Sequence, residues 1–463
     1  MRPSPSLVSG KLIIGTALAQ SNGTGAPAVL THHPCHRTII SIAVKNEYSI
    51  AIVGGGIIGL SIAFTAIEPG SKVAIIDPAP GRGTTWVAAG MLAPVTEAYY
   101  GEEPELDLSL AAAARWPSFA EALEHESGCR IGYRQVGTMV VAADNDDRTF
   151  IKELYDFQAN MGLDVQWLNP SEARELVPQL APSTRGGLLA RGDYQVDPRL
   201  VADALVKVAG DRTYDIIRAS ATSVEPVTTG DHSIKLDSGE YIKAEKVVLC
   251  TGAWTSQVPG IPEYISTAIR PVKGEIVRVS APEPSRLPSH TVRAIAKGHS
   301  VYMVPRLDGT LVIGATMEEK GFDTSVRSGA VYELLRDARE ILPVAGELSF
   351  DEAIAGLRPA TPDNGPLIGY IDGIGAGGTS SADSGSGAGA GHGRPGTGKS
   401  LIVAAGHYRN GVLLAPITAE AVKALLLGDV GNIPPEVLPF SPARFADTGF
   451  TIQTGYSRNR EPV

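Results

Sequence analysis

The sequence predicts an α/β fold with a mostly parallel sheet, on three observations: a chain of 463 residues, a globular composition, and one complete strand-helix-strand unit near its start. The length is about three times the ~150-residue domain prior, which gives either two intimately linked domains or one large domain with insertions. Hydrophobic residues at 43% and charged residues at 19% suffice to bury a sizeable core, so disorder throughout, coiled coil and collagen are excluded. Lys plus Arg number 40 against 50 for Asp plus Glu, a net charge of −10. With no sustained basic run, nucleic acid is not an expected partner. No apolar run approaches the ~18 residues that a spanning helix requires, so no membrane span is expected. Cys35, Cys129 and Cys250 lie far apart and form no C-x-x-C pair. That argues against a disulfide framework or a structural zinc site and fits a reducing, cytoplasmic compartment.

Taken in order, residues 1–46 read as a flexible N-terminal extension. Arg2 and Lys11 precede a short apolar stretch, Leu12 to Ala19. A secretory signal has this layout, but here the apolar core is minimal and broken by Gly15, so a leader or an over-long start is the simpler reading. His32, His33, Cys35 and His36 crowd together, yet adjacent residues cannot all turn toward one ion, and no metal site is expected.

Tyr48 to Val53 then reads as a buried strand, followed by Gly54-Gly55-Gly56-Ile57-Ile58-Gly59. Leu60, Ile62, Ala63, Phe64 and Ile67 keep helical spacing, and a second strand runs from Lys72 to Ile76, ending at Asp77. The three glycines at positions 54, 56 and 59 are in register with the dinucleotide-binding fingerprint, with an acid about 20 residues on. Gly54 makes the tight turn, Gly56 admits a pyrophosphate close to the backbone, and Gly59 lets helix pack on strand. The helix N-terminus offers amides to the negative charge, and Asp77 can accept a ribose hydroxyl. The motif alone does not choose between FAD and NAD. No second fingerprint occurs in proper context, so a flavin here would pass its electrons to oxygen or a quinone.

Residues 371–400 are almost all Gly, Ser, Ala and Thr and read as a mobile surface loop with nothing to bury. Two motifs inside it, GIGAGG at 373–378 and the phosphate-loop match GRPGTGKS at 393–400, lack the preceding strand and following helix that their mechanism needs.

Further motifs follow: Arg82-Gly83-Thr84-Thr85 leading into Ala88-Ala89-Gly90-Met91-Leu92-Ala93, then Val301-Tyr302-Met303-Val304-Pro305-Arg306 and Ile313-Gly314-Ala315-Thr316-Met317. Ala355-Gly356-Leu357-Arg358-Pro359 and Ala405-Gly406-His407-Tyr408-Arg409-Asn410-Gly411 complete the set. With the fingerprint, and in order from about residue 47 to 427, they resemble the D-amino-acid oxidase superfamily of FAD-dependent oxidoreductases, and within it the glycine oxidases of the thiamine (thiazole) pathway.

That resemblance implies a Rossmann-like FAD-binding domain from residues 47–131, 190–262 and 350–440. It implies a second, largely antiparallel β substrate-binding domain from 132–189 and 263–349, and a C-terminal tail from 441. Carried over by position, Ile57, Ile58, Asp77, Pro78, Thr84, Thr85, Ala89, Gly90 and Met91 would touch FAD, Ala221 would meet the adenine through its backbone, and His407, Tyr408, Arg409, Asn410, Gly411, Val412 and Leu413 would line the flavin's pyrimidine edge. The segment from Gly406 follows a strand and is expected to open a helix from Val412 to Leu426, whose N-terminus would stabilise negative charge on a reduced flavin. A bidentate guanidinium holds an amino acid's carboxylate best. Arg358 resembles that clamp, Tyr302 the hydroxyl that helps it, and Arg409 a second basic group. Tyr302 also fits an ordinary core tyrosine on a strand that pairs with Leu311 to Gly314 across an Asp308-Gly309 turn. Met317 and Met91 fit either core filler or residues that narrow the site for small amines.

The activity implied is oxidation of glycine, or another small amine, to glyoxylate, ammonia and hydrogen peroxide, with oxygen as acceptor and no obligatory catalytic base. Rival readings are a sarcosine or D-amino-acid oxidase or dehydrogenase, and a flavin-binding protein without turnover. A homo-oligomer is expected. No cysteine matches the covalent flavin attachment of sarcosine oxidases, so FAD is expected to bind non-covalently. Trp86-Val87 departs from the family, where smaller residues are usual.

Overall fold

The computed structural model describes residues 46–225, 231–371 and 400–446. The N-terminal extension, the two motif matches of the Gly/Ser-rich insert and most of the C-terminal tail lie outside the described residues.

The strand Glu47–Val53 is buried at Tyr48, Ala51, Ile52 and Val53 and runs parallel to Val73–Ile76 on one side and Tyr241–Leu249 on the other. Asp215–Ile217 and Ser400–Ala405 extend this parallel sheet at either end. Leu367–Tyr370, and the hairpin Ala221–Glu225 with His232–Leu236, attach antiparallel. The central strands are nearly continuous Ala, Ile, Val and Leu, as strands covered on both faces must be. The helix Ile57–Thr65 packs against the helix Ala415–Leu427. This last helix begins three residues later than expected: turns occupy 408–414, and Pro416 sits in the first turn, where its missing amide costs nothing.

A second sheet has eight strands in the spatial order Ser349–Ala360, Arg270–Ser280, Thr310–Gly314, His299–Pro305, Thr291–Ala296, Thr138–Ala142, Gly187–Ala190, Val165–Leu168. Only the pair Thr291–Ala296 with Thr138–Ala142 is parallel. Tyr302 lies opposite Gly314, across the predicted hairpin. Ser349–Ala360 stands in this sheet and not in the parallel one, because it pairs with Arg270–Ser280 along its whole length. The expected boundary at 349/350 therefore falls at the start of a strand of the second sheet. The amphipathic helix Ser328–Ile341 covers one face, with Leu334, Ala338 and Ile341 in a core with Met139, Val277, Val292 and Leu311.

Among the described residues no helix is long and apolar enough to cross a membrane, and no group of three or more His, Cys, Asp or Glu could hold a metal. Cys250 is a free, buried thiol.

Candidate active site

The glycine turn is built around two close backbone approaches. Gly54 has φ +106°, and a Cβ there would stand 2.3 Å from the Cys250 carbonyl oxygen; one on Gly59 would stand 2.0 Å from the Gly54 carbonyl oxygen. Gly56 is different, since its Cβ would meet only the Thr85 hydroxyl, at 3.6 Å. Nothing in the protein forbids a side chain at Gly56, so the open space beside the turn is left for a group that is not protein. A pyrophosphate fits it, at the N-terminus of the helix that Gly56 caps. Thr85 accepts a hydrogen bond from the Ile57 amide at 2.9 Å, so this first-turn amide is satisfied internally. Each Asp77 oxygen accepts one backbone amide, Gly55 at 2.7 Å and Ala79 at 2.7 Å. A carboxylate oxygen has a second lone pair, so the ribose role stays open to Asp77. Ala221 opens an edge strand of the parallel sheet, half-buried against its core.

A cavity of about 440 Å³ brings together Thr84, Ala89, Gly90, Met91, Tyr302, Met317, Arg358, Arg409, Asn410 and Val412. The short helix Thr84–Val87 is tied to the floor strand by the Thr84 hydroxyl, which donates to the Leu357 carbonyl at 2.9 Å, and Val87 fits over Gly356. Trp86 points away and is sandwiched between the guanidinium groups of Arg82 and Arg199, 3.7 and 4.3 Å from its ring centroid. Val87, by contrast, lines the cavity. Buried Arg306 donates to the carbonyl oxygens of Ala89 and Val196 and fixes the cavity wall at Ala89.

Arg358 lies over Gly274 on the adjoining strand, where a Cβ would stand 2.3 Å from Nη1. That nitrogen donates to the Thr316 carbonyl at 3.1 Å, and no carboxylate among the described residues pairs with the guanidinium. Tyr302 lies over Gly314 in the same manner, its hydroxyl 2.3 Å from where a Cβ would be. Burial pushes the Tyr302 pKa up, so it stays a donor. Met317 is at the mouth, half-exposed, and receives a hydrogen bond from the Tyr408 hydroxyl at 3.3 Å.

Arg409 reaches the cavity with its charge already taken: Nε is 2.9 Å from Glu97 Oε2, and Nη2 is 2.8 Å from Glu102 Oε2. His407 is turned into the protein, its Nε2 3.0 Å from the Thr418 hydroxyl, and burial pushes its pKa down to about 3. Only the backbone of His407 is left for a flavin edge, and Tyr408, Gly411 and Leu413 are likewise absent from the cavity lining. Tyr408 is buried with φ +45°.

Sequence reasoning missed Glu97, Tyr99, Gly274 and Arg293, all of which line the cavity. Gly274 carried a signal, being a glycine inside a strand, which often marks a close approach. The others carried none.

A fingerprint turn with open space beside Gly56, and a cavity at which Arg358 has no carboxylate partner among the described residues, fit a dinucleotide-dependent enzyme acting on a small anion. The chain belongs to the family described as FAD dependent oxidoreductase, whose pattern matches residues 49–425. It is 33% identical to the glycine oxidase of Geobacillus kaustophilus over 386 residues, 83% of this chain and 94% of that one. It is 30% identical to the bifunctional protein ThiO/ThiG of Synechocystis, covering 88% of this chain and 55% of that protein. The crystal structure of the Geobacillus kaustophilus glycine oxidase superposes with a TM-score of 0.73 at 31% identity, covering 86% of this chain and 99% of that one.

Proposed function

We propose that this FAD-dependent oxidoreductase oxidises glycine and other small amines, and that the imine so formed serves thiazole synthesis in thiamine formation. The observation that carries the reading is Arg358: a guanidinium with no carboxylate partner among the described residues, set over Gly274 at the cavity and beside Tyr302. In this reading Arg358 clamps the substrate carboxylate, the protonated Tyr302 donates to it, and Met317 narrows the mouth. Bound FAD supplies a two-electron oxidant that oxygen regenerates. Glycine, oxygen and water then give glyoxylate, ammonia and hydrogen peroxide once the imine is hydrolysed. The chain's own residues position the α-carbon and exclude water, and no protein base is required when the amine binds neutral.

The cofactor contacts proposed are Gly54, Gly56, Ile57, Ile58, Gly59, Asp77, Pro78, Thr84, Thr85, Ala89, Gly90, Met91, Ala221 and the segment 407–413. FAD is held without a covalent bond, since Cys250 is buried in the parallel sheet's core. Residues 47–131, 190–262 and 350–440 form the FAD-binding domain and 132–189 with 263–349 the substrate domain, sharing the strand Ser349–Ala360. A homo-oligomer in the cytoplasm completes the proposal, checked by light scattering and fractionation. The deciding experiment is anaerobic glycine added to the yellow protein. Bleaching of the flavin, with peroxide and glyoxylate formed on admitting air, is the expected result. Bleaching by D-alanine alone would move the assignment to D-amino acids, and no bleaching by any amine would leave a flavin-binding protein without turnover.

A further inference from the structure

Three guanidinium groups line the cavity, those of Arg293, Arg358 and Arg409, together with one carboxylate, Glu97. Glu97 is bound by two of them: Arg293 Nη1 is 2.6 Å from Oε1 and Arg409 Nε is 2.9 Å from Oε2. Glu97 and Arg293 are largely buried, their side chains 13% and 12% exposed. Burial pushes the Glu97 carboxyl toward the neutral form, but the charges of Arg293 and Arg409 outweigh it and hold the pKa below its ordinary value. Glu102 takes the other end of Arg409 at 2.8 Å. Of the three lining guanidinium groups, only Arg358 has no carboxylate partner among the described residues.

We propose that Glu97 restricts this site to substrates carrying a single negative charge, by occupying the two arginines that would otherwise hold a second carboxylate and by repelling that carboxylate directly. The proposal rests on the amine-oxidase reading and deepens it. The excluded class is that of N-substituted glycines with an acidic group on the nitrogen substituent. Like charge placed against a desolvated anion discriminates strongly between ligands of equal size. Iminodiacetate is the simplest such molecule, and sarcosine is its uncharged-substituent counterpart. Oxidised at one arm, iminodiacetate with oxygen and water gives glycine, glyoxylate and hydrogen peroxide. Two electrons leave the carbon-nitrogen unit and reach oxygen by way of the flavin.

The test uses the full-length flavin-loaded enzyme and two variants, Glu97→Gln, which removes the charge that Arg293 and Arg409 share and leaves Arg409 held only by Glu102, and Glu102→Gln, which releases one end of Arg409. Peroxide formation is measured with glycine, sarcosine and iminodiacetate, and binding of glycolate and diglycolate is read from the flavin spectrum. The ratio of kcat/KM for iminodiacetate to that for sarcosine should rise at least about tenfold in Glu97→Gln, and in the same direction but less in Glu102→Gln. Diglycolate should tighten relative to glycolate in parallel. Ratios that stay level or fall in both assays overturn the proposal. Should Glu97→Gln not fold, a level ratio in Glu102→Gln overturns it equally. Wild-type protein that oxidises none of the amines overturns the amine-oxidase reading, while the two ligands still report whether charge selectivity resides in Glu97.

Discussion

The glycine turn at 54–59 and the strand glycines 274 and 314 both leave out side chains, but for opposite reasons. At Gly54 and Gly59 the backbone needs to approach other backbone. At Gly274 and Gly314 a functional side chain, Arg358 or Tyr302, needs to lie flat on the neighbouring strand. The first kind is required for the fold and the second for the site. Gly56 belongs with the second kind although it stands in the turn, because the protein itself leaves its position open.

The sharpest way to break this comparison is to place valine at each turn glycine. Gly59→Val forces a Cβ onto a backbone oxygen and should give no soluble folded protein, whereas Gly56→Val should fold and remain colourless. Soluble yield, circular dichroism and the 450-nm band distinguish them. Equal behaviour of the two would erase the distinction. Next in size, Arg358→Met should keep its yellow spectrum and lose about 2 to 5 kcal/mol of carboxylate binding, roughly 30- to several-thousand-fold in kcat/KM for glycine. Gly274→Ala should act in the same direction through displacement of the guanidinium, by about tenfold or more. Normal kcat/KM in Gly274→Ala would show that the arginine does not need the flat strand.

His407 gives a prediction in pH. Its folded pKa of about 3 lies below the ~6.5 of an unfolded histidine, so the unfolded chain binds more protons between these values. Its contribution is complete above pH ~6.5 and is lost as pH falls, at up to about 1.4 kcal/mol per pH unit. His407→Gln should flatten the decline of unfolding free energy between pH 6.5 and 5 by that slope, read by denaturant titration. An unchanged slope would place the titrating group elsewhere. The smallest effect is expected from Met317→Ala: half-exposed and at the mouth, it should change kcat/KM for glycine by only a few fold while improving larger amines.

What the sequence made legible follows the same division. The parallel sheet's core was readable because Tyr48 to Val53, the glycines and Asp77 are contiguous, and each carries a local physical reason. Arg358 and Tyr302 were reachable only through resemblance, since nothing local distinguishes a functional arginine beside a proline from a structural one. The pairing of Arg409 with Glu97 and Glu102 was illegible, because these partners lie about 300 residues apart in sequence and meet only in the fold. The late start of the final helix was missed because apolar Val412 to Leu414 continue a helical pattern that the backbone does not take up until Ala415.

The strand Ser349–Ala360 constrains how this gene can change length. Its side chains alternate, so that Arg358 serves the cavity while the carbonyl beside it, on Leu357, anchors Thr84. A one-codon insertion between Glu352 and Arg358 would turn Leu357 toward the substrate, and a one-codon deletion would turn Pro359 there; either would carry arginine into the packed layer behind. The pairing already absorbs an irregularity between Arg278 and Val279, opposite Glu352 and Phe350. Codons can therefore be gained or lost ahead of that bulge with the register beyond it preserved, which divides the strand into an editable beginning and an end whose spacing is locked.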